Sequence, residues 1–168
     1  MVNYLPNLNY GRCTLKNYGP LDFKEVFVIV AHAEHMLNKA LELFAGEENW
    51  KDRTGGYFCV ADKEDGIPLL IAQVGEVPKE KAGKYLSFCQ EKARRLAQNS
   101  IHVSSWQSRN PDQDKWGGAV RMHNKILSFS GLPELGDEAI MLGTCCLIDH
   151  MYWKTIQEAR EIAAFSSD

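Results

Sequence analysis

Gly55-Gly56-Tyr57-Phe58-Cys59-Val60-Ala61-Asp62-Lys63-Glu64-Asp65-Gly66-Ile67-Pro68-Leu69-Leu70-Ile71-Ala72-Gln73-Val74 is a hairpin written in sequence. Two apolar runs of strand length flank Lys63-Glu64-Asp65-Gly66, where Gly66 supplies the positive φ that such turns need. Pro68 lacks an N–H, so its strand either begins there or lies at a sheet edge. A second hairpin follows at 117–131. Gly117-Gly118-Ala119-Val120-Arg121-Met122 and Lys125-Ile126-Leu127-Ser128-Phe129-Ser130-Gly131 flank a His123-Asn124 bend, with Asn124 the residue suited to left-handed geometry.

Helical spacing surrounds both hairpins. Phe23, Val26, Phe27, Val30, Leu37, Leu41 and Phe44 recur at the i, i+3, i+4, i+7 positions of a helix over 22–46, with Asp22 as its N-cap. Val28, Ile29 and Met36 fall off that stripe, so the helix is apolar around most of its circumference, and a subunit interface would cover its second side. Residues 79–99 return to the same period through Ala82, Tyr85, Leu86, Cys89, Ala93 and Leu96. The charges of this helix, Lys79, Glu80, Lys84, Glu91, Lys92, Arg94 and Arg95, read as a solvated face. A last helical region spans 135–164, with a break expected near Asp149 to Trp153.

The order helix, hairpin, helix, hairpin, helix defines an α+β protein with an antiparallel sheet, because hairpin neighbours run antiparallel. The first 20 residues carry Pro6, Gly11, Gly19 and Pro20 without either period, and are expected to form an arm before a single domain over 21–168.

The 168 residues, 45% of them apolar, suffice for one core without staples. Lys and Arg number 19 against 22 Asp and Glu, a formal charge of −3 with no long block of one sign, which disfavours nucleic acid and anionic membranes as partners. No run reaches the roughly 18 apolar residues of a membrane span, and Met1 to Pro20 contains no apolar segment after a basic start, so a cytoplasmic protein is expected. Cys13, Cys59, Cys89, Cys145 and Cys146 include no CxxC pair and fit reduced thiols, with Cys59 and Cys89 acting as small hydrophobes.

Several segments together resemble the GlcG/HbpS-like family, which includes haem-binding and haem-degrading proteins. Leu21-Asp22-Phe23 and the following helix are similar to its opening helix, and Val60-Ala61-Asp62, Gly66 and Leu69-Leu70 to its first hairpin. Lys92-Ala93 sits where the next helix carries Lys-Ala. Gly117-Gly118-Ala119-Val120 resembles the glycine-glycine strand start, Ile126 to Gly131 the strand ending in Ser-Gly, and Asp137 the aspartate opening the last helix. Two stretches depart from the pattern, Gln73-Val74-Gly75 and Leu127-Ser128-Phe129. The resemblance implies profilin-like α/β/α layers around an antiparallel sheet of about five strands, an oligomer with helices at the contact, and a ligand for which haem, another flat cofactor or an organic acid is a candidate. The apolar first helix adds the expectation of a homo-oligomer, at least a dimer.

Two groups of residues carry the candidate chemistry. His32 and His35 lie three apart on one helix surface, a spacing that suits a metal or haem iron and equally a surface pair. The polar connection 100–116 and its flank hold Trp106, Arg109, Trp116 and His123, a set able to stack on a flat ring and pair with a carboxylate, or simply to tether a loop. Cys145-Cys146 and Asp149-His150 point about 100° apart on a helix, and neither Ser128 nor Ser130 sits in a nucleophile elbow. The sequence therefore names no catalytic residue. It supports a small-ligand-binding oligomeric module, against an enzyme using the histidines and Arg109 at a subunit interface, or a purely structural partner.

Overall fold

The structure, a computed structural model, describes the backbone of residues 21 and 23–165 and the side chains of residues 21 and 25–151. The N-terminal arm and the Asp22 cap lie outside the described residues. The chain runs α1 (Phe23–Leu43), β1 (Gly55–Asp62), β2 (Pro68–Gly75), α2 (Lys79–Ala97), β3 (Ala119–Met122), β4 (Lys125–Ser130) and α3 (Glu134–Phe165). Among the described residues no helix is long and apolar enough to cross a membrane. The last helix is unbroken through Asp149 to Trp153, contrary to the expected interruption.

The strands form one antiparallel sheet in the order β2-β1-β4-β3. Side chains alternate across it, as a pleated strand requires. Phe58, Val60, Leu127 and Phe129 enter a core with Ile29, Ala33 and Leu37 of α1 and Ile140, Met141 and Ile148 of α3. Cys59, Ala61 and Ile126 enter a second core with Cys89, Ala93 and Leu96 of α2. The sheet is thus the middle of three layers, with α1 and α3 on one face and α2 on the other. Pro68 begins the edge strand β2, where the missing N–H costs no ladder bond, and a bulge between Val60 and Ala61 absorbs Leu69.

Further expectations need correction. The described residues hold four strands, not five. Beside β3 the chain makes a single bridge, Ser104 to Val120. Ser104 then caps a short 3-10 turn over Ser105–Ser108: its Oγ accepts from Trp106 N–H at 3.0 Å, while Gln107 Oε1 accepts from Ser104 N–H at 3.1 Å. That cap carries the backbone away from the sheet after one bridge. At the second bend the left-handed residue is His123, with φ 52°, not Asn124. At the first, Gly66 has φ 71° as expected.

Part of the second side of α1 is covered within the chain, while Val28 stays half-buried. Ile29 is only 1% exposed, and Met36 lies against Gly143 of α3, so these residues have no need of a second subunit. The α2 face read as solvated is also divided: Lys92 is 1% and Arg95 7% exposed. Tyr85, Cys89, Lys92 and Leu96 share a 4-3-4 spacing, which puts the lysine on the buried stripe.

Candidate functional site

The long connection between α2 and β3 is ordered by one arginine. Arg95 Nη1 donates to the carbonyls of Ser105 (2.8 Å) and Ser108 (2.9 Å), and its Nη2 to that of Trp116 (2.5 Å). Glu91, one helical turn earlier, accepts from Nε at 2.7 Å and keeps the guanidinium charge balanced. A planar fork is suited to gathering three carbonyls from separate turns, which an ammonium could not align.

The first turn of α3 holds the same connection from the other side. Glu134 accepts the Gly117 N–H at 2.7 Å, Glu138 accepts the Gly118 N–H at 2.6 Å, and the Ser104 hydroxyl also donates to Glu138. Between them Asp137 turns inward, 2.7 Å from Lys92 Nζ, which also donates to the Phe129 carbonyl at 2.9 Å. Burial pushes the Asp137 carboxyl above its ordinary range, against the downward pull of Lys92 and of the Leu132 and Gly131 N–H groups. Gly118, at φ 111°, passes so close that a Cβ there would lie 2.7 Å from that of Asp137 and 2.9 Å from Lys92 Nζ. Lys92, Gly118, Gly131 and Asp137, scattered through the sequence, therefore meet at one buried point.

Arg109 leaves this scaffold toward solvent. Its Nε lies 2.8 Å from both carboxylate oxygens of Glu134, and its guanidinium sits over the Trp106 ring at 5.2 Å. The Trp106 indole in turn rests on Gly117, where a Cβ would come within 2.5 Å of the ring. In front of it opens a largely apolar cleft of about 420 Å³, walled by Phe44, Trp50, Trp106, Pro133 and Leu135, with Arg109 and Glu134 at one end. Phe44 and Trp50, which also line it, stack with centroids 4.6 Å apart, which fixes that part of the wall. Such a cleft can hold a flat apolar body between fixed aromatic surfaces.

The six residues expected to form a site do not come together. Trp106 and Arg109 share the apolar cleft. Trp116 lines neither that cleft nor the polar one beside it, and its backbone carbonyl serves Arg95. His123, on the β3–β4 turn, pairs with Asp149 of α3 at 2.8 Å. His32 Nε2 lies 2.9 Å from Met151 Sδ, and His35 is exposed. Partial burial first, and His35 second, hold the His32 imidazole below its usual pKa. No cluster of three His, Cys, Asp or Glu side chains suited to a metal occurs among the described residues. Trp50 and Phe44 belong to the cleft and were missed by sequence reasoning, since their stacking depends on the turn after α1. Glu134 could have been found as an acid in the first turn of a helix facing a basic loop.

No family model matches the chain, and no curated protein matches it. Among solved structures it is similar to Klebsiella pneumoniae protein ORFY, of family model DUF336, at 18% sequence identity. The likeness covers 69% of this chain and 86% of that one, with a TM-score of 0.35. What the described elements define is an α+β protein in three layers, with an aromatic-walled cleft where the α2–β3 connection meets the start of α3.

Proposed function

We propose that this protein is a small-ligand-binding module of the GlcG/HbpS-like type, acting as a homo-oligomer, and that its ligand occupies the cleft between Trp106 and the Phe44–Trp50 stack. The observation that carries the reading is the construction of that cleft. Trp106 rests on Gly117 and carries the Arg109 guanidinium over its ring, yet it stays 37% exposed and lines the cleft, which a mere loop tether would not require. The meeting of Lys92, Gly118, Gly131 and Asp137 supports the family reading, because these are residues on which the resemblance rests. The ligand class is a flat, largely apolar molecule. Haem ligated by His32 or His35 finds no support in this geometry, because neither histidine lines the cleft.

The test is titration with N-phenyl-1-naphthylamine, an uncharged flat aromatic that fluoresces when it leaves water. Saturable binding at one site per chain is expected, weakened by Trp106→Ala by about 1 to 2 kcal/mol through lost stacking and burial. Absence of saturable binding, or binding indifferent to Trp106, overturns the reading.

A further inference from the structure

Arg109 borders two clefts. The second, which Trp106 does not line, is a polar cleft of about 560 Å³ that includes Arg94, Arg95, Lys115, Ser108 and Asn110 in its lining. Four basic side chains line it, counting Arg109, against one acid, Glu91, and that acid is already paired with Arg95. The concentration of positive charge stands out in a chain whose formal charge is −3.

The donors are of two kinds. Arg95 is spent on the framework. The Arg94 side chain has no hydrogen bond or ion pair among the described residues, Lys115 Nζ donates only to the neutral Gln113 amide at 2.7 Å, and Arg109 uses Nε alone on Glu134. The end of α2 favours a positive charge in its last turn and accounts for one of these residues. It does not account for Lys115 or Arg109, which reach the same cleft from the connection.

We propose that this polar cleft is an oxyanion subsite, so that the ligand carries a flat apolar body ending in a carboxylate or phosphate that crosses Arg109 to reach Arg94 and Lys115. This rests on the cleft reading above and adds the ligand's charge and orientation. The unpaired cations set the direction. Each cleft's acid is already paired, Glu134 with Arg109 and Glu91 with Arg95, whereas Arg94 and Lys115, which pair with no acid among the described residues, line the polar cleft and not the apolar one. Unspent guanidinium N–H groups bind oxyanions with charge-assisted hydrogen bonds in fixed directions.

The experiment compares two probes with the same ring system: 1-anilinonaphthalene-8-sulfonate, which bears an anionic tail, and N-phenyl-1-naphthylamine, which does not. Replacing Arg94 and Lys115 together by Gln should weaken the sulfonate about five- to tenfold and change the uncharged probe less than twofold. Retained binding of the uncharged probe shows that the double variant is folded. If the double variant binds the sulfonate as tightly as the wild type does, the oxyanion subsite is wrong and the apolar cleft stands. If neither probe binds the wild type, the cleft reading itself fails and takes the subsite with it. Competition separates the sources. Displacement of the sulfonate by inorganic phosphate at lower concentration than by acetate assigns a phosphate, the reverse order assigns a carboxylate, and displacement by neither overturns the proposal.

Discussion

Lys92 and Asp137 form an ion pair at 2.7 Å with side chains 2% and 4% exposed, joining the middle of α2 to the first turn of α3 across the end of the sheet. Both charges have left water, and their attraction has to offset that desolvation. Each charge has a further partner, the Phe129 carbonyl on the lysine and the Leu132 N–H on the aspartate. Removing one partner strands the other. Lys92→Met is expected to lower unfolding free energy by about 3 to 5 kcal/mol. Lys92→Met combined with Asp137→Asn, which keeps an acceptor for the Leu132 N–H, should cost less than the sum of the single changes. Urea denaturation of the four proteins measures the coupling, and strict additivity would show that the pair is not one unit.

Gly118 shares that site, and its test is steric. Alanine there would need φ 111° and would put its Cβ 2.7 Å from that of Asp137, so Gly118→Ala should cost about 2 kcal/mol or more. A thermal midpoint unchanged by the substitution would mean that the connection can shift away from the pair.

The layered α+β plan was legible because hairpins and helices announce themselves through period. Phe58 and Val60 on one face and Cys59 and Ala61 on the other follow directly from alternation in β1. The fate of α2's charges was not legible by composition, since a lysine among charged neighbours looks solvated. Only its place in the Tyr85, Cys89, Lys92, Leu96 stripe betrays burial. Among the described residues the chain beside β3 makes one bridge and no fifth strand, for a local reason: the Ser104 cap closes a turn where a ladder would continue. Of the candidate site, Trp106 and Arg109 were visible as a dense pair in a polar connection. Glu134, Trp50 and Phe44 come from other elements, and no short-range pattern links them to it.

Arg95 makes a prediction about order. Arg95→Lys keeps the charge but cannot reach the carbonyls of Ser105, Ser108 and Trp116 together. Hydrogen exchange of amides in the connection 104–117 should accelerate well before exchange in β1 or β4 changes. Uniform acceleration across the sheet would instead make Arg95 a determinant of global stability.

Thiol reactivity should follow burial. Of the described cysteines, Cys59, Cys89 and Cys145 are buried and Cys146 is exposed. Burial pushes the Cys145 thiol up to about 12, with Asp149 adding to the effect, so almost none is thiolate near neutrality. Iodoacetamide on the native protein should modify Cys146 and spare its neighbour, as read by peptide mass spectrometry. Equal labelling of Cys145 and Cys146 would contradict the burial of Cys145 against the sheet.

The His32 imidazole should titrate below the usual value near 6.5. A histidine whose folded pKa is lowered favours the neutral form in the native state, so its contribution to stability is present above the unfolded value and is lost as pH falls below it. In a proton NMR titration His35→Gln should move His32 part of the way back up, leaving the larger shift from burial in place. Complete restoration would assign the whole effect to the neighbouring charge.

Self-association can be separated from folding by two substitutions on one helix. Ile29 belongs to the chain's own core, and Lys in its place would bury an unpaired charge, so Ile29→Lys should unfold the protein. Phe27, two residues away, is 58% exposed, and Leu142 on the adjoining helix α3 is 48% exposed. Large apolar side chains in open water on two packed helices suit a contact with a second copy. Phe27→Glu and Leu142→Glu are therefore expected to leave circular dichroism unchanged while lowering the mass measured by light scattering from at least a dimer to a monomer. A monomeric wild type removes the oligomer from the proposal. An assembly that survives both substitutions moves the contact to a surface other than these two positions.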